Sequence, residues 1–237
     1  MQQYNQNSQI EQYATFRSGS QALTLEYYDL DDLIAAGLPQ WSLKFRLFKL
    51  LFDTICTVIA LLIIAILSLI LKILNPFLNP GPLFFTQLRT GLHGKPFRMW
   101  KFRTMVVSDT EARKPNTPLE EDRITRLGGF MRKARIDELP NFFNVLRGEM
   151  SVVGPRPDAS SHVELYSKRV AGYVQRHRVR PGITGLAQVE QGYVEDEDAT
   201  AIKAKYDNIY VQRSCGRLDL YIILRTFTNM VRGFGAR

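Results

Sequence analysis

The sequence predicts an α+β protein that is attached to a membrane by one N-terminal helix. Residues 54–71 contain 18 consecutive residues without a charge, which is about the minimum for crossing a hydrocarbon core. Two aromatic-rich runs, 82–88 and 96–105, flank a glycine-containing turn and predict a small β-hairpin. Periodic apolar residues at 199–212 and 217–232 predict amphipathic helices, and we expect residues near 218–231 to rest on the bilayer interface.

The apolar run has basic residues on both sides. Lys44, Arg46 and Lys49 precede it, and Lys72 and Arg89 follow it. The flanks therefore lack the charge asymmetry that orients a simple span. A re-entrant helix, which enters and leaves on the cytoplasmic side, explains this pattern, and a plain span is the alternative. Because the run is apolar on every side, the pattern favours a membrane helix over a buried core helix.

Three regions follow from composition. Residues 1–40 form a variable, largely disordered segment, because residues 1–22 are rich in Gln, Asn and Ser, and residues 23–40 allow one short helix. Residues 41–80 form the membrane-anchoring helix, and residues 81–237 form a compact folded domain. Within this domain we predict a polar loop at 106–122, helices at 123–135, 138–147 and 160–178, and a loop or strand at 180–189.

The chain is basic, with 31 Lys and Arg against 23 Asp and Glu and a net charge of +8. This charge favours polyanionic partners such as nucleic acid, anionic lipid or phosphorylated small molecules. A basic cluster fits either nucleic acid or a lipid surface, and the membrane segment favours lipid. The cluster comprises Lys168, Arg169, Arg176, Arg178 and Arg180.

Several common sites are excluded. The sequence contains no Walker loop, no dinucleotide fingerprint and no paired-histidine zinc motif. The two cysteines have no disulfide or metal spacing. His93, His162 and His177 are scattered; we interpret His93 as a turn residue and His177 as part of a basic face.

Two adjacent acids, Asp137 and Glu138, precede a proline in "RIDELPNFFNVLRGEM". Because proline is tolerated in the first turn, the helix is predicted to begin at the acids, with Asp137 as a plausible N-cap. Gly148 is predicted to end it. The residues of its apolar face are Leu139, Phe142, Phe143 and Leu146.

A helix N-terminus of this composition suits phosphate chemistry. Free N–H groups bind phosphate, two carboxylates can hold Mg²⁺, and a carboxylate can attack phosphorus. Arginines, which bind phosphate in bidentate fashion, lie on both sides of the pair. They are Arg132, Arg135, Arg147 and Arg156. The structural alternative is an N-cap aspartate beside a dipole-stabilising glutamate, and the residues alone leave both interpretations open.

Several motifs in order carry a resemblance to a known family. They are Phe52-Asp53 at the apolar segment, "GPLFFTQLRTGLHGKPFRMWKFRTM" (81–105), "RKARIDELPNFFNVLRGEMSVVGPRP" (132–157), "RPGITGLAQV" (180–189) and a C-terminal "KYDNIYV…LDLYIILRT…GFGAR" (205–237). Across residues 44–237 the chain resembles the bacterial sugar transferase family, the monotopic polyprenyl-phosphate phosphoglycosyl transferases.

The resemblance implies a reaction and a location. The expected enzyme moves a sugar-1-phosphate from a UDP-sugar to polyprenyl (undecaprenyl) phosphate and releases UMP, through a covalent aspartyl phosphosugar intermediate. This is the priming step of exopolysaccharide, capsule or O-antigen biosynthesis. Residues 81–237 would be a catalytic domain on the cytoplasmic face of the bacterial inner membrane. The expected partners exclude nucleic acid and include a possible homodimer.

The resemblance also implies roles for individual residues. Asp137 matches the nucleophile, and Glu138 matches the acid that works with Mg²⁺ beside it, so both are candidate metal ligands. The positions predicted to engage substrate phosphates or to line the site are Arg132, Arg156, Pro157, Lys101 and Arg103.

The sequence departs from the family pattern in two places. The family's membrane helix is commonly broken by Ser-Pro, whereas here the matching place near Ala65-Ile66 has no proline. Many members have Asn-Gly-Arg after the fourth motif, whereas this chain has Glu190-Gln191-Gly192. The sequence therefore predicts no particular sugar. A membrane-tethered nucleic-acid-binding or scaffold protein is the alternative function, and the intact acid pair argues against an inactive scaffold.

Overall fold

A computed structural model describes residues 39, 41–106, 121–191 and 197–232. The predictions for residues 1–38 and for most of the 106–122 loop lie outside these residues. The described part is an α+β structure, as predicted, with one long helix, shorter helices and two two-stranded sheets.

The elements follow one another in this order. Helix α1 (Leu43–Leu78) leads into β1 (Phe84–Thr90) and β2 (Pro96–Phe102). Helix α2 (Arg126–Lys133), a 3-10 helix (Ile136–Asn141), α3 (Phe142–Leu146) and β3 (Ser151–Val153) come next. The chain continues through α4 (Ser160–Arg169), a second 3-10 helix (Tyr173–Arg178), β4 (Gly182–Thr184) and α5 (Leu186–Glu190). It ends with α6 (Glu197–Arg213) and α7 (Gly216–Arg232).

Strands β1 and β2 form the predicted hairpin. They pair antiparallel, from Phe84 opposite Phe102 to Thr90 opposite Pro96. The turn places His93 at φ 55°, as expected for a turn residue. On one face, the rings of Phe84 and Phe102 stack with centroids 5.3 Å apart. This packing joins the hairpin to the core beneath it.

Strand β3 was not predicted. It pairs parallel with β4, with Ser151 opposite Gly182 and Val153 opposite Thr184. The pairing brings the backbone of Gly154 against Gly182, where a Cβ on Gly182 would lie 2.1 Å from the Gly154 nitrogen. Only glycine allows this approach. The contact joins the segment that follows β3 to the "RPGITG" motif.

Helix α1 is continuous from Leu43 to Leu78, and no break interrupts it near residues 65–69. One stripe of the helix is buried against the rest of the chain. The residues of this buried stripe are Phe45, Lys49, Asp53, Thr57, Ala60, Ile64, Leu71 and Asn75. The spacing of three and four residues, or a multiple of it, keeps them on one side of the helix.

Two polar side chains in the stripe fix α1 to the domain. Lys49 Nζ donates to the Val153 carbonyl oxygen at 2.8 Å and pairs with Asp219 Oδ2 of α7 at 2.9 Å. One turn later, Asp53 Oδ1 accepts hydrogen bonds from Ser151 Oγ at 3.1 Å and the Val152 N–H at 3.0 Å. Strand β3 is therefore held by α1 on one side and by β4 on the other.

Apolar packing continues the same contact. Ile64 and Leu71 of α1 belong to one buried cluster with Phe102 of β2 and Met131 of α2. A larger cluster joins α6 and α7 to β3 and α5, and Tyr210 of α6 is among its most deeply buried side chains. The long helix is therefore part of the domain core along one face.

Two helix predictions need correction. The helix predicted at 138–147 is a 3-10 helix followed by the short α3, and Arg135, at φ 54°, precedes it. Asp137 therefore lies in the first turn and is not the N-cap. The helix predicted at 160–178 ends at Arg169, because Gly172 turns the chain at φ 71° before the second 3-10 helix.

Candidate active site

Glu138 lies between two cationic side chains that come from different elements. Lys101 Nζ of β2 donates to Glu138 Oε1 at 3.0 Å. Arg156, in the segment after β3, donates from Nη1 to Glu138 Oε2 at 3.1 Å and from Nη2 to Oε1. This bidentate geometry is the strongest form of a carboxylate–arginine contact. One carboxylate therefore brings together residues 101, 138 and 156.

The two cations keep Glu138 ionised. Its side chain is nearly buried, and burial by itself would raise its pKa. The Arg156 guanidinium and the Lys101 ammonium group overcome that effect and hold the pKa of Glu138 well below its usual range. Glu138 is therefore an anion at neutral pH.

Asp137 lies beside this ion cluster and is only 8% exposed. Burial raises the pKa of its carboxyl group, the negative charge of Glu138 raises it further, and Lys101, Arg132 and Arg156 oppose the shift. Three cations thus act on one carboxylate. Such a group is surrounded by the charges that an incoming phosphate requires.

Local folding sets the direction of both acids. The left-handed conformation of Arg135 ends the preceding segment, and Pro140 lies within the 3-10 helix that carries the acids. Asn144 of α3 then accepts from the Trp100 N–H at 3.0 Å and donates to the Arg98 carbonyl oxygen at 2.8 Å. These bonds fix the helical segment against β2, next to Lys101.

The other predicted phosphate-binding residues occupy different positions. Arg132 is half-buried and donates from Nε to Thr104 Oγ1 at 2.9 Å. Pro157 is buried, and its carbonyl oxygen accepts from Arg89 Nη1 at 3.0 Å. Arg132, Lys101 and Arg156 all act on the Asp137 carboxyl group, so the structure brings these three predicted residues together.

Arg103 is held elsewhere. Its guanidinium donates to the Pro82 carbonyl oxygen at 2.7 Å, to the Met105 carbonyl oxygen at 2.8 Å, and to Asn79 Oδ1 at 2.9 Å. Nη2 also donates to the Asn79 carbonyl oxygen. These acceptors lie at the end of α1, beside Gly81, and at the end of β2. Arg103 therefore connects the end of α1 to the hairpin, a role that the sequence did not predict.

A magnesium ion would have limited protein ligands here. Among the described residues, no group of three or more His, Cys, Asp or Glu side chains lies together. Mg²⁺ often uses one or two carboxylates and completes its shell with water and substrate phosphates. Three hydrogen bonds occupy Glu138, whose carboxylate offers about four acceptor positions. Asp137 and the remaining Glu138 position therefore suit an ion that arrives with the substrate.

The sequence missed a second group of polar residues. Arg176 was assigned to a basic surface, but its side chain is 1% exposed and pairs with Asp158 and Asp207. His177 was assigned to a basic face and is also buried. The acid at 158, directly after "GPRP", is a sequence feature that could have indicated a buried partner for an arginine.

A comparison with protein families agrees with the ordered motifs. The sequence profile of the bacterial sugar transferase family matches residues 44–233. The chain belongs to the bacterial sugar transferase family. The matched region includes α1 from its second residue onward, both acids and every cationic residue of the site.

Individual relatives agree with this membership. UDP-N-acetylgalactosamine-undecaprenyl-phosphate N-acetylgalactosaminephosphotransferase from Aeromonas hydrophila is 40% identical over 185 residues, 78% of this chain and 44% of the relative. UDP-glucose:undecaprenyl-phosphate glucose-1-phosphate transferase from Caulobacter vibrioides is 38% identical over 196 residues, 82% of this chain and 73% of the relative. Uncharacterized sugar transferase EpsL from Bacillus subtilis is 41% identical over 187 residues, 76% and 84% of the two chains.

The chain is shorter than several of its relatives. It spans less than half the length of the Aeromonas protein and of three further relatives from Klebsiella pneumoniae, Escherichia coli and Xanthomonas campestris.

The different positions of Arg103 and Arg132 predict different effects on stability. Arg103→Lys removes the planar fork that binds Asn79, Pro82 and Met105, so we expect a loss of roughly 2–3 kcal/mol in the free energy of unfolding. Arg132→Lys keeps the charge and loses one bond to Thr104, so we expect a loss below about 1 kcal/mol. Thermal unfolding of the two variants in the same detergent measures both values; equal losses would contradict the assignment of Arg103.

Proposed function

We propose that this family member transfers a sugar-1-phosphate from a UDP-sugar to undecaprenyl phosphate and releases UMP, and that Asp137 is the nucleophile. The observation that carries the proposal is that a buried Asp137 lies next to Glu138, whose carboxylate is held by Lys101 and Arg156. The names of the relatives supply the substrate class, since several are UDP-sugar:undecaprenyl-phosphate transferases.

In the first displacement an Asp137 carboxylate oxygen attacks the β-phosphorus of the UDP-sugar. The bond from that phosphorus to the bridging oxygen breaks, and UMP leaves with the electron pair. The sugar phosphate is then bound to Asp137 as an acyl phosphate. Lys101, Arg132 and Arg156, which act on the Asp137 carboxyl group, neutralise charge on the phosphates during this step.

In the second displacement a phosphate oxygen of undecaprenyl phosphate attacks the same phosphorus. The bond to the Asp137 oxygen breaks, which restores the carboxylate and forms an undecaprenyl-diphosphate sugar. Two bulky phosphates can thus use one pocket in turn. Mg²⁺ held by Asp137 and Glu138 would supply further charge neutralisation at the substrate phosphates.

The exposed apolar surface supports a membrane location. Helix α1 is long and apolar enough to cross a bilayer, and its residues outside the buried stripe are largely apolar and exposed. Helix α7 has a second exposed apolar stripe, which suits an amphipathic helix in the interface. The residues of the α7 stripe are Leu220, Leu224, Phe227 and Val231.

The packing of α1 bears on topology. Its buried stripe contacts the domain from Phe45 to Asn75, so a span would draw the contacting domain residues into the hydrocarbon region. We infer that the chain stays on the cytoplasmic side of the inner membrane. Because α1 is continuous, we infer that it lies along the membrane–water interface and does not turn back within the bilayer as a re-entrant helix would. The product then enters exopolysaccharide, capsule or O-antigen assembly as its first lipid-linked sugar.

The nucleophile assignment predicts the effect of removing either acid. Asp137→Asn removes the attacking oxygen anion, and Glu138→Gln leaves Lys101 and Arg156 without their anion. We expect both to lower UMP release from UDP-sugars by at least about 10³-fold in membranes that contain undecaprenyl phosphate. Asp122→Asn, an exposed acid outside the site, is the matched control and keeps wild-type turnover. Turnover by Asp137→Asn close to wild type would contradict the assignment.

The inferred topology predicts membrane depth along α1. Nitroxide labels at the exposed positions 47, 62 and 77, in a Cys56→Ala, Cys215→Ala background, report depth through their accessibility to oxygen and to a nickel chelate. An interfacial helix places all three within a few ångströms of one depth, on the order of 5–10 Å below the headgroups. Re-entry predicts the deepest value at position 62, and a span predicts opposite surfaces for 47 and 77.

Labelling of cysteines at 5–40 from outside intact cells would also overturn the one-sided topology.

A further inference from the structure

The segment Pro155–Asp158 is held by its backbone carbonyl groups. Two of the four donors are backbone N–H groups: Gly182 bonds to the Pro155 oxygen at 2.9 Å, and Thr90 bonds to the Asp158 oxygen at 3.1 Å. Prolines at 155 and 157 have no N–H of their own, so the carbonyl bonds carry most of the constraint.

The other two donors are arginine side chains. Arg89 Nη1 donates to the Pro157 oxygen at 3.0 Å, and Arg176 Nη2 donates to the Arg156 oxygen at 2.5 Å. Arg176 therefore contacts the backbone of the same residue whose side chain binds Glu138. It lies 20 residues further along the chain, in the second 3-10 helix.

A buried ion cluster holds Arg176 in place. Its Nη1 binds Asp158 Oδ2, and its Nη2 lies 2.8 Å from Asp207 Oδ2 of α6. Tyr173 Oη donates to Asp158 Oδ2 at 2.6 Å, and Lys203 Nζ binds Asp158 Oδ1. We call these five residues the Asp158 cluster. Its two cations and two carboxylates balance, which a buried group of charges requires.

Charge states in the cluster agree with this balance. Burial alone would raise the pKa of Asp158, but Arg176 and Lys203 hold it well below its usual range, so the carboxylate is ionised. Burial, and next to it the charge of Arg176, lowers the pKa of the neighbouring His177 to about 4, so the imidazole is neutral at neutral pH and adds no third cation.

We propose that Arg176, held by the other members of the Asp158 cluster, is a positioning residue. It orients the Arg156 guanidinium toward Glu138 and the substrate phosphates. The chain of contacts runs from α6 through Arg176 to the Arg156 carbonyl, and from the Arg156 side chain to Glu138. Arg176 acts through Arg156, since its own side chain is 1% exposed. The inference rests on the proposed function for the role of Arg156 toward phosphate.

A double-mutant cycle tests this action. Arg176→Lys keeps one positive charge but cannot reach Asp158, Asp207 and the Arg156 carbonyl together, because it lacks the guanidinium fork. In the otherwise wild-type protein, we expect Arg176→Lys to lower kcat/KM for UMP release about 10–100-fold, since small misplacements of a binding group have effects of this size. In an Arg156→Lys background we expect the same change to cost less than about threefold, because the residue it positions has gone.

Two further variants keep the test decisive. Tyr173→Phe removes one bond to Asp158 with almost no change in shape, and we expect a smaller loss that also disappears in the Arg156→Lys background. Glu164→Gln, which removes an exposed ion pair with Lys168 on α4, should have no effect in either background. Losses of equal size in both backgrounds would show a merely structural role and overturn the proposal.

A readout that needs no turnover separates this proposal from the proposed function. Nitrogen-15 NMR follows rotation of the Arg156 guanidinium, which its two bonds to Glu138 restrict, with the signal assigned by its loss in Arg156→Lys. We expect faster rotation in Arg176→Lys and in Tyr173→Phe, and wild-type rotation in Glu164→Gln. Unchanged rotation in both cluster variants would overturn the positioning role, whether or not the protein turns over a UDP-sugar.

Discussion

The ion cluster of Glu138 with Lys101 and Arg156 is the interaction on which the rest of the site depends. It joins the hairpin, the 3-10 helix and the segment after β3, which lie far apart in sequence. Glu138 is the anion that these two cations share, so its loss would leave both of them without a partner in a largely buried site. The elements that hold Glu138, Lys101 or Arg156 in place, such as the β3–β4 pair and the Asp158 cluster, therefore also determine the surroundings of the neighbouring Asp137.

Helix α1 is part of this arrangement. Lys49 and Asp53 of α1 bind β3, the strand that leads directly to Pro155 and Arg156. Directly after the other end of α1, Asn79 Oδ1 accepts a hydrogen bond from Arg103, which lies two residues after Lys101 in the chain. The helix that we propose places the protein at the bilayer thus contacts both chain segments that supply cations to Glu138. Anchor and site form one packed unit, which suits a reaction between a soluble donor and a lipid acceptor.

Sequence patterns predicted much of this structure, and the failures have physical causes. The hairpin follows from two aromatic runs around a turn, α1 from an uncharged run, and the last two helices from apolar periodicity. The acid pair with Arg132 and Arg156 was visible in the residues, whereas Lys101 and the individual roles came from a family resemblance. Strand β3 has three residues, too few for a period. Arg103 and Arg176 look like any surface arginine in sequence, because their acceptors, such as Asn79 and Asp207, come from distant elements. Burial of a charge is a tertiary property that local sequence does not encode.

The central claim is that Asp137 carries the sugar phosphate between donor and acceptor. Incubation of the purified protein with a UDP-sugar and Mg²⁺, without undecaprenyl phosphate, followed by mild acid quench, tryptic digestion and mass spectrometry, tests it directly. The account predicts stoichiometric UMP release and one sugar phosphate on the peptide 136–147, located at Asp137 and removed by added undecaprenyl phosphate. UMP release that requires the lipid acceptor, with no adduct on this peptide, would contradict the account.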